Sequence, residues 1–148
     1  MRIFEVMTKK VETVAPTLQA ADAAARMRLN RIRHLVVTDG RAIVGVLSDR
    51  DVRGRSADLA QCQVADLMTR SAVSIGPGDT VRAAANLMRG RTIGCLPVVE
   101  RDRLVGIVTV TDLLELLGRG IDRSERPDRA TLHYRVPHRK HGGVRAAW

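Results

Sequence analysis

Two stretches decide the fold of this chain: Val44-Gly45-Val46-Leu47-Ser48-Asp49-Arg50-Asp51 and Val105-Gly106-Ile107-Val108-Thr109-Val110-Thr111-Asp112. In each stretch an apolar run rich in β-branched residues ends at a hydroxyl residue, and an aspartate follows three positions later. This pattern predicts a strand that passes directly into a helix. The second stretch repeats the first position by position, so that Asp112 corresponds to Asp51.

The offset that relates Asp51 to Asp112 also relates most of the remaining sequence. Without a gap it superposes Met7-Thr8 on Met68-Thr69, Pro16 on Pro77, Met27-Arg28 on Met88-Arg89, and Leu35 on Leu96. The chain therefore contains an internal duplication. We divide it into residues 1–61, residues 62–118 and a C-terminal extension of residues 119–148. A half of about 60 residues is marginal for independent stability, so we expect the two halves to pack on each other.

Each half is predicted to be a β-α-β-β-α unit of the α+β class, preceded by a short lead-in helix. In the first half we expect a lead-in helix within residues 1–10, strand 11–14, helix 17–30, strands 35–38 and 42–47, and a helix from residue 48 to about 54. In the second half we expect a lead-in helix at 64–68, strand 72–75, helix 79–88, strands 96–99 and 104–108, and helix 109–117. Asp39-Gly40 predicts a tight hairpin turn between two strands of the first half.

Composition excludes several classes of protein. The chain has one Phe, one Tyr and one Trp, so aliphatic residues must fill the core. It contains no apolar run of membrane-spanning length, and Met1-Arg2-Ile3-Phe4 lacks the apolar region of a signal peptide. We therefore expect a cytoplasmic protein with no membrane partner. Cys62 and Cys95 form neither a disulfide framework nor a paired metal motif.

The net charge of +9 raises the possibility of a nucleic acid partner. Its distribution is uneven, because residues 1–118 carry +4 and the much shorter C-terminal extension, residues 119–148, carries +5. The duplicated part also lacks the aromatic residues that a surface for stacking single-stranded bases requires. Nucleic acid binding is therefore an alternative that involves the extension alone.

The repeated hydroxyl-x-x-Asp motif has two compatible interpretations. Ser48 with Asp51, and Thr109 with Asp112, can each form a capping box that satisfies free amides of a first helical turn. The same geometry leaves amides and a hydroxyl group facing a cleft, where they attract phosphate, and a carboxylate that can accept both hydroxyl groups of a ribose. Occurrence twice in register favours the second interpretation more than one copy would.

The chain resembles a tandem pair of cystathionine β-synthase (CBS) domains, also called a Bateman module. The resemblance rests on Val6-Met7-Thr8, on Ile32 to Val37 and Val44 to Asp51, and on their counterparts Leu67-Met68-Thr69, Ile93 to Val99 and Val105 to Asp112. It covers residues 1 to about 118. It implies two repeats packed with pseudo-two-fold symmetry, a homodimer, and a non-catalytic regulatory module that acts on an effector protein.

The resemblance also implies an adenosine-containing ligand, which is AMP, ADP, ATP, NAD or S-adenosylmethionine, in the cleft between the repeats. Asp51 and Asp112 would bind ribose, and Ser48 and Thr109 would bind phosphate. The other candidate binding residues flank these motifs or lie on the first and central strands of each repeat: Val11, Thr13, Val14, Arg33, His34, Arg50, Ser74, Ile75, Gly94, Cys95 and Thr111.

The two clefts are expected to be unequal. Arg33-His34 in the first half corresponds to Gly94-Cys95 in the second, and Arg50 corresponds to Thr111. We expect the cleft reached by Arg33 to prefer ADP or ATP over AMP, because a guanidinium can bind a second or third phosphate. The resemblance suggests that Asp112 completes this cleft. His34 either donates a hydrogen bond to phosphate or has only a structural role.

Other candidates carry less weight. Nothing near Cys95 in sequence activates it as a nucleophile, and no motif places a nucleophile beside a base, so no catalytic residue is expected. His133, His138 and His141 could bind a metal, but no strong element orients them, and we assign no metal site. A rival hypothesis of another class is a structural or stress-response interaction protein whose clefts stay empty.

Overall fold

The computed structural model describes residues 1–55 and 58–120. The first half contains α1 (Ile3–Val6), β1 (Thr13–Val14), α2 (Ala20–Leu29), β2 (His34–Asp39), β3 (Ala42–Ser48) and α3 (Asp49–Val52). The second half contains α4 (Val64–Leu67), β4 (Thr69–Arg70), α5 (Val81–Arg91), β5 (Cys95–Glu100), β6 (Arg103–Thr109) and α6 (Val110–Gly118). The α+β class and the two repeated units are confirmed.

Several predicted boundaries differ from the structure. The strand expected at 72–75 is wrong: Ser71 has a left-handed backbone (φ +53°), and only Ile75 pairs, through an isolated parallel bridge to Val98. Strand β1 is shorter than expected, and α3 and both lead-in helices are single turns. Helix α2 begins at Ala20 instead of residue 17. The hairpin turn is confirmed, with Gly40 at φ +59°.

The two halves build related sheets. In the first sheet the order is β1-β2-β3-β4, where β1 is parallel to β2 and the other neighbours are antiparallel. In the second, β5 and β6 are antiparallel. Ile75 and Thr8 bridge to them at the places that β1 and β4 occupy in the first sheet. The duplication is thus visible in the pairing as well as in the sequence.

Each lead-in segment packs on the opposite half of the chain. Ile3 of α1 belongs to the core cluster of the second half, and its amide donates to the Asp79 carbonyl at 2.9 Å. Val64 of α4 belongs to the core cluster of the first half, and its amide donates to the Leu18 carbonyl at 2.8 Å. The sequence did not predict this exchange of lead-in segments.

Two glycines accommodate the exchanged segments. A Cβ atom on Gly45 would lie 2.6 Å from the Thr69 carbonyl oxygen and 2.8 Å from Met68 Sδ. A Cβ atom on Gly106 would lie 2.6 Å from Met7 Sδ and 3.1 Å from the Thr8 carbonyl oxygen. The repeated glycine of each half therefore contacts the repeated Met-Thr pair that follows the exchanged lead-in helix.

Three apolar clusters hold the fold together. One lies in each half, between its sheet and its helices, where Met27 and Met88 occupy equivalent positions. The third lies between the halves and contains Val36, Cys95 and Ile107. The halves thus share a buried boundary, as expected. Among the described residues, no helix is long and apolar enough to cross a membrane.

Candidate functional site

The first hydroxyl-x-x-Asp motif lies at the end of β3. The Ser48 amide donates to Asp51 Oδ2 at 2.8 Å, and the Asp51 amide donates to Ser48 Oγ at 3.2 Å. These reciprocal bonds are a capping box, so the structural interpretation of this motif is confirmed.

The second motif repeats this geometry at the end of β6. The Thr109 amide donates to Asp112 Oδ2 at 2.7 Å, and the Asp112 amide donates to Thr109 Oγ1 at 3.3 Å. The Thr109 hydroxyl group also donates to Asp112 Oδ2 at 2.9 Å. In both motifs the cap engages Oδ2, and Oδ1 has no hydrogen-bond partner among the described residues. One oxygen of each carboxylate therefore remains available to a ligand.

The antiparallel register places the starts of the central strands beside the motifs. His34 is paired with Ser48, and Cys95 is paired with Thr109. The Asp49 amide donates to the Arg33 carbonyl at 2.7 Å, and the Val110 amide donates to the Gly94 carbonyl at 3.0 Å. In both halves the start of the central strand is thus brought beside the hydroxyl-x-x-Asp motif, where the resemblance placed binding residues.

His34 meets the second half at Gly94. A Cβ atom on Gly94 would lie 2.9 Å from His34 Nε2, so any larger residue would require the imidazole to shift. Burial lowers the pKa of His34, and the nearby Asp51 carboxylate opposes that effect. Burial and the same carboxylate raise the pKa of Cys95 to about 12. The Asp51 carboxylate thus acts electrostatically on both His34 and Cys95, which lie where the two halves meet.

A Cys95 thiol with a raised pKa stays protonated at neutral pH and is a poor nucleophile. The thiol side chain belongs to the buried cluster between the halves. Cys95 is therefore a small residue of the core.

The remaining candidate binding residues are dispersed. Val11 packs against the cluster between the halves, whereas Val14 and Ile75 are buried in the separate cores of the two halves. Thr13 lines a cavity of about 510 Å³ together with Thr38, Asp22 and Arg26, and Asp51 does not border it. The side chains of Arg33, Arg50, Ser74 and Thr111 are exposed.

Sequence reasoning missed a cluster of arginines near the first motif. Arg28 and Arg31 join Arg33 around a second cavity, which Asp49 also borders. A signal for this cluster was present in the sequence, because Thr92 and Gly94 stand where Arg31 and Arg33 would repeat.

No group of three or more His, Cys, Asp or Glu side chains is arranged to hold a metal within the described part of the chain. His133, His138 and His141 lie outside the described residues.

Comparison with known families assigns both halves. The model of the CBS domain matches residues 3–58 and 64–119. The CBS domain-containing protein YhcV of Bacillus subtilis is 32% identical over 114 residues, which cover 75% of this chain and 81% of that protein. The inosine-5′-monophosphate dehydrogenase of Korarchaeum cryptofilum is 36% identical over 113 residues, which cover 76% of this chain but 23% of the enzyme. The chain thus spans most of YhcV and about a quarter of the enzyme.

A solved structure agrees with this assignment. The CBS domain pair of protein MJ0100, solved in complex with 5′-methylthioadenosine and S-adenosyl-L-methionine, superposes with a TM-score of 0.73 at 27% identity. The match covers 80% of this chain and 97% of that one.

Proposed function

The chain belongs to the CBS domain family, and we propose that it is a regulatory module that binds an adenosine-containing ligand and catalyses no reaction. The ligand is AMP, ADP, ATP, NAD or S-adenosylmethionine. It occupies the boundary between the halves, and its binding state is read by an effector protein.

The observation that carries this proposal is the pair of hydroxyl-Asp capping boxes. Each places helix amides and a carboxylate with an uncommitted Oδ1 beside the start of a central strand. A ribose diol can donate two hydrogen bonds to a carboxylate, and hydrogen bonds to charged groups are stronger than neutral ones. The ligands named for the MJ0100 pair support the adenosyl class.

The candidate residues take proposed roles within this site. Asp51 and Asp112 bind ribose, and Ser48 and Thr109 bind phosphate. His34, Gly94 and Cys95 form the wall next to Asp51, and Val11 contributes apolar surface at the boundary between the halves. Thr13, Val14, Ser74 and Ile75 contribute mainly backbone groups to the base, because the Val14 and Ile75 side chains lie in the cores.

Titration calorimetry with adenosine-containing ligands tests the proposal, after mass spectrometry has shown that the purified protein is ligand-free. Asp51→Ala and Asp112→Ala should each abolish one class of binding site. The matched control is Asp66→Ala, because the Asp66 carboxylate caps α4 by accepting from the Gln63 amide at 2.8 Å. This control removes a capping carboxylate of the same kind outside the proposed site. If no adenosyl compound binds the wild type at millimolar concentration, the empty-cleft hypothesis replaces this one.

We also propose that the protein is a homodimer that associates through α6. Val110, Leu114 and Leu117 form an apolar stripe on this helix with exposures of 40%, 60% and 62%, and Phe4 of the neighbouring α1 is 54% exposed. Contiguous exposed apolar side chains of this kind mark interaction surfaces. A second copy presents the same stripe, so two α6 helices can bury each other's leucines in an isologous contact.

A further inference from the structure

A cavity of about 270 Å³ lies at the C-terminal end of α2. Its volume is several times the roughly 30 Å³ that a water molecule occupies in the liquid, so it can hold a small polyatomic ion. It is lined by two apolar residues, Met27 and Ile32, and by four charged ones, Arg28, Arg31, Arg33 and Asp49.

The lining carries an excess of positive charge. Among the described residues, none of its three arginines forms an ion pair, whereas the Asp49 carboxylate is engaged by Arg53 at 2.6 Å. The three arginines are exposed, so solvent screens their mutual repulsion, and an anion bound between them would lower it further. Their planar forks match the oxygen atoms of phosphate and other oxyanions.

The backbone holds these side chains on fixed points. The Ile32 amide donates to the Met27 carbonyl at 2.9 Å, and the Arg31 amide donates to the Arg28 carbonyl at 3.2 Å. Arg31 has φ +53°, and these bonds form a Schellman motif at the end of α2. Glycine is the usual residue at this left-handed position, yet the chain has an arginine there.

The second half lacks this cluster although it has the same backbone turn. Thr92 has φ +54°, and the Ile93 amide donates to the Met88 carbonyl at 3.0 Å. The residues equivalent to Arg28, Arg31, Arg33 and Asp49 are Arg89, Thr92, Gly94 and Val110. Both halves fold with the same turn, so the fold itself does not require the extra arginines.

We propose that this arginine cavity is a binding site for the phosphoryl group of a small anion. Two sources supply this chemistry. One is free phosphate or pyrophosphate. The other is the terminal phosphates of a nucleotide whose ribose lies at the neighbouring Ser48–Asp51 motif, in place of the Asp112 that the resemblance suggested, and this second form rests on the proposed function.

Titration calorimetry with pyrophosphate, ATP, AMP and 5′-methylthioadenosine tests the proposal. The variants are the double substitution Arg28→Gln/Arg33→Gln and the single substitution Arg31→Gly. Each should weaken binding of pyrophosphate, or of ATP relative to AMP, by about tenfold or more, because charge-assisted hydrogen bonds are lost.

The duplication supplies matched controls. Arg89→Gln and Thr92→Gly change the equivalent positions of the second half and should leave the same affinities unchanged. Arg31→Gly also relieves a left-handed arginine, so its melting temperature should equal or exceed that of the wild type. Loss of anion binding in this variant therefore cannot come from unfolding.

The outcomes separate the two sources. Arginine-dependent pyrophosphate binding that survives Asp51→Ala supports a site for a free anion. An ATP preference that disappears in the arginine variants, while 5′-methylthioadenosine binding is unchanged, supports the nucleotide source. If the variants change neither pyrophosphate affinity nor the ratio of ATP to AMP affinity, the proposal is wrong. Failure of 5′-methylthioadenosine and AMP to bind the wild type counts against the proposed function and leaves the pyrophosphate test intact.

Discussion

Replacing Gly45 with alanine should destabilise the protein more than the equivalent change at Gly106. The added methyl group at residue 45 meets the Thr69 carbonyl oxygen at 2.6 Å, and this oxygen belongs to β4, which is paired with β3. At residue 106 the nearest atom is Met7 Sδ at 2.6 Å, and the nearest backbone oxygen is more distant, at 3.1 Å. A thioether side chain can change rotamer, whereas a paired backbone cannot move alone.

The magnitudes follow from this difference. Overpacking a well-filled contact typically costs about 1–3 kcal/mol. We place Gly45→Ala near the upper limit, because β4 must shift, and Gly106→Ala near about 1 kcal/mol, because the Met7 side chain can move aside. At roughly 4 °C per kcal/mol for a protein of this size, the melting temperatures should differ by several degrees.

Double-mutant cycles in urea denaturation test the cause. Met7→Ala should relieve Gly106→Ala, which gives a coupling of about 0.5–1 kcal/mol between the two changes. Met68→Ala should not rescue Gly45→Ala to the same extent, since the Thr69 oxygen remains in place. Equal costs for the two glycine substitutions, or full rescue of Gly45→Ala by Met68→Ala, would show that the backbone oxygen of Thr69 is not the obstacle.

Three further outcomes are expected. Leu114→Asp should convert the proposed dimer to a monomer in size-exclusion chromatography with light scattering, whereas Gln61→Asp, at an exposed connector position, should not; an unchanged size for Leu114→Asp would rule out association through α6. Truncation after Gly118, the last residue of α6, should leave cooperative unfolding and adenosyl binding intact; loss of either would place the boundary of the folded unit elsewhere. Burial holds the pKa of His34 below 6.5, so at acidic pH the unfolded chain binds more protons than the folded chain. The free energy of unfolding should therefore decrease as the pH falls from 6.5 toward the pKa of His34 in the folded state. His34→Gln should reduce this decrease in urea titrations at several pH values, and an unchanged pH dependence in this variant would contradict the role of His34.

Much of the fold could be predicted from the sequence because the duplication presents the pattern of each element twice. The strand-to-helix transitions at Ser48 and Thr109 were correct, since a hydroxyl cap and an acid three residues later are a local signal. The predicted strand at 72–75 was wrong because the chain turns at Ser71, directly after β4, and only Ile75 pairs, with Val98. A local sequence pattern does not reveal which distant segments pair.

The candidate site was less accessible to sequence reasoning. The contact of His34 with Gly94 joins the two halves, and periodicity within one half cannot indicate it. The arginine cavity depends on a helix end with an arginine in a left-handed conformation, a position where sequence rules expect glycine. Departures from the internal repeat were the available signal, because they mark positions where the two halves differ in charge while their backbones agree.

The exchanged lead-in segments bear on how such a chain could have arisen. Ile3 completes the core of one half and Val64 completes the core of the other, so a single ancestral unit would have lacked part of its own interior. Two identical copies could have supplied it to each other by reciprocal exchange of these segments, as in a domain-swapped dimer. Gene fusion then converts an association between molecules into one within a chain, at a far higher effective concentration. Separately expressed halves of this protein should accordingly reassemble by complementation.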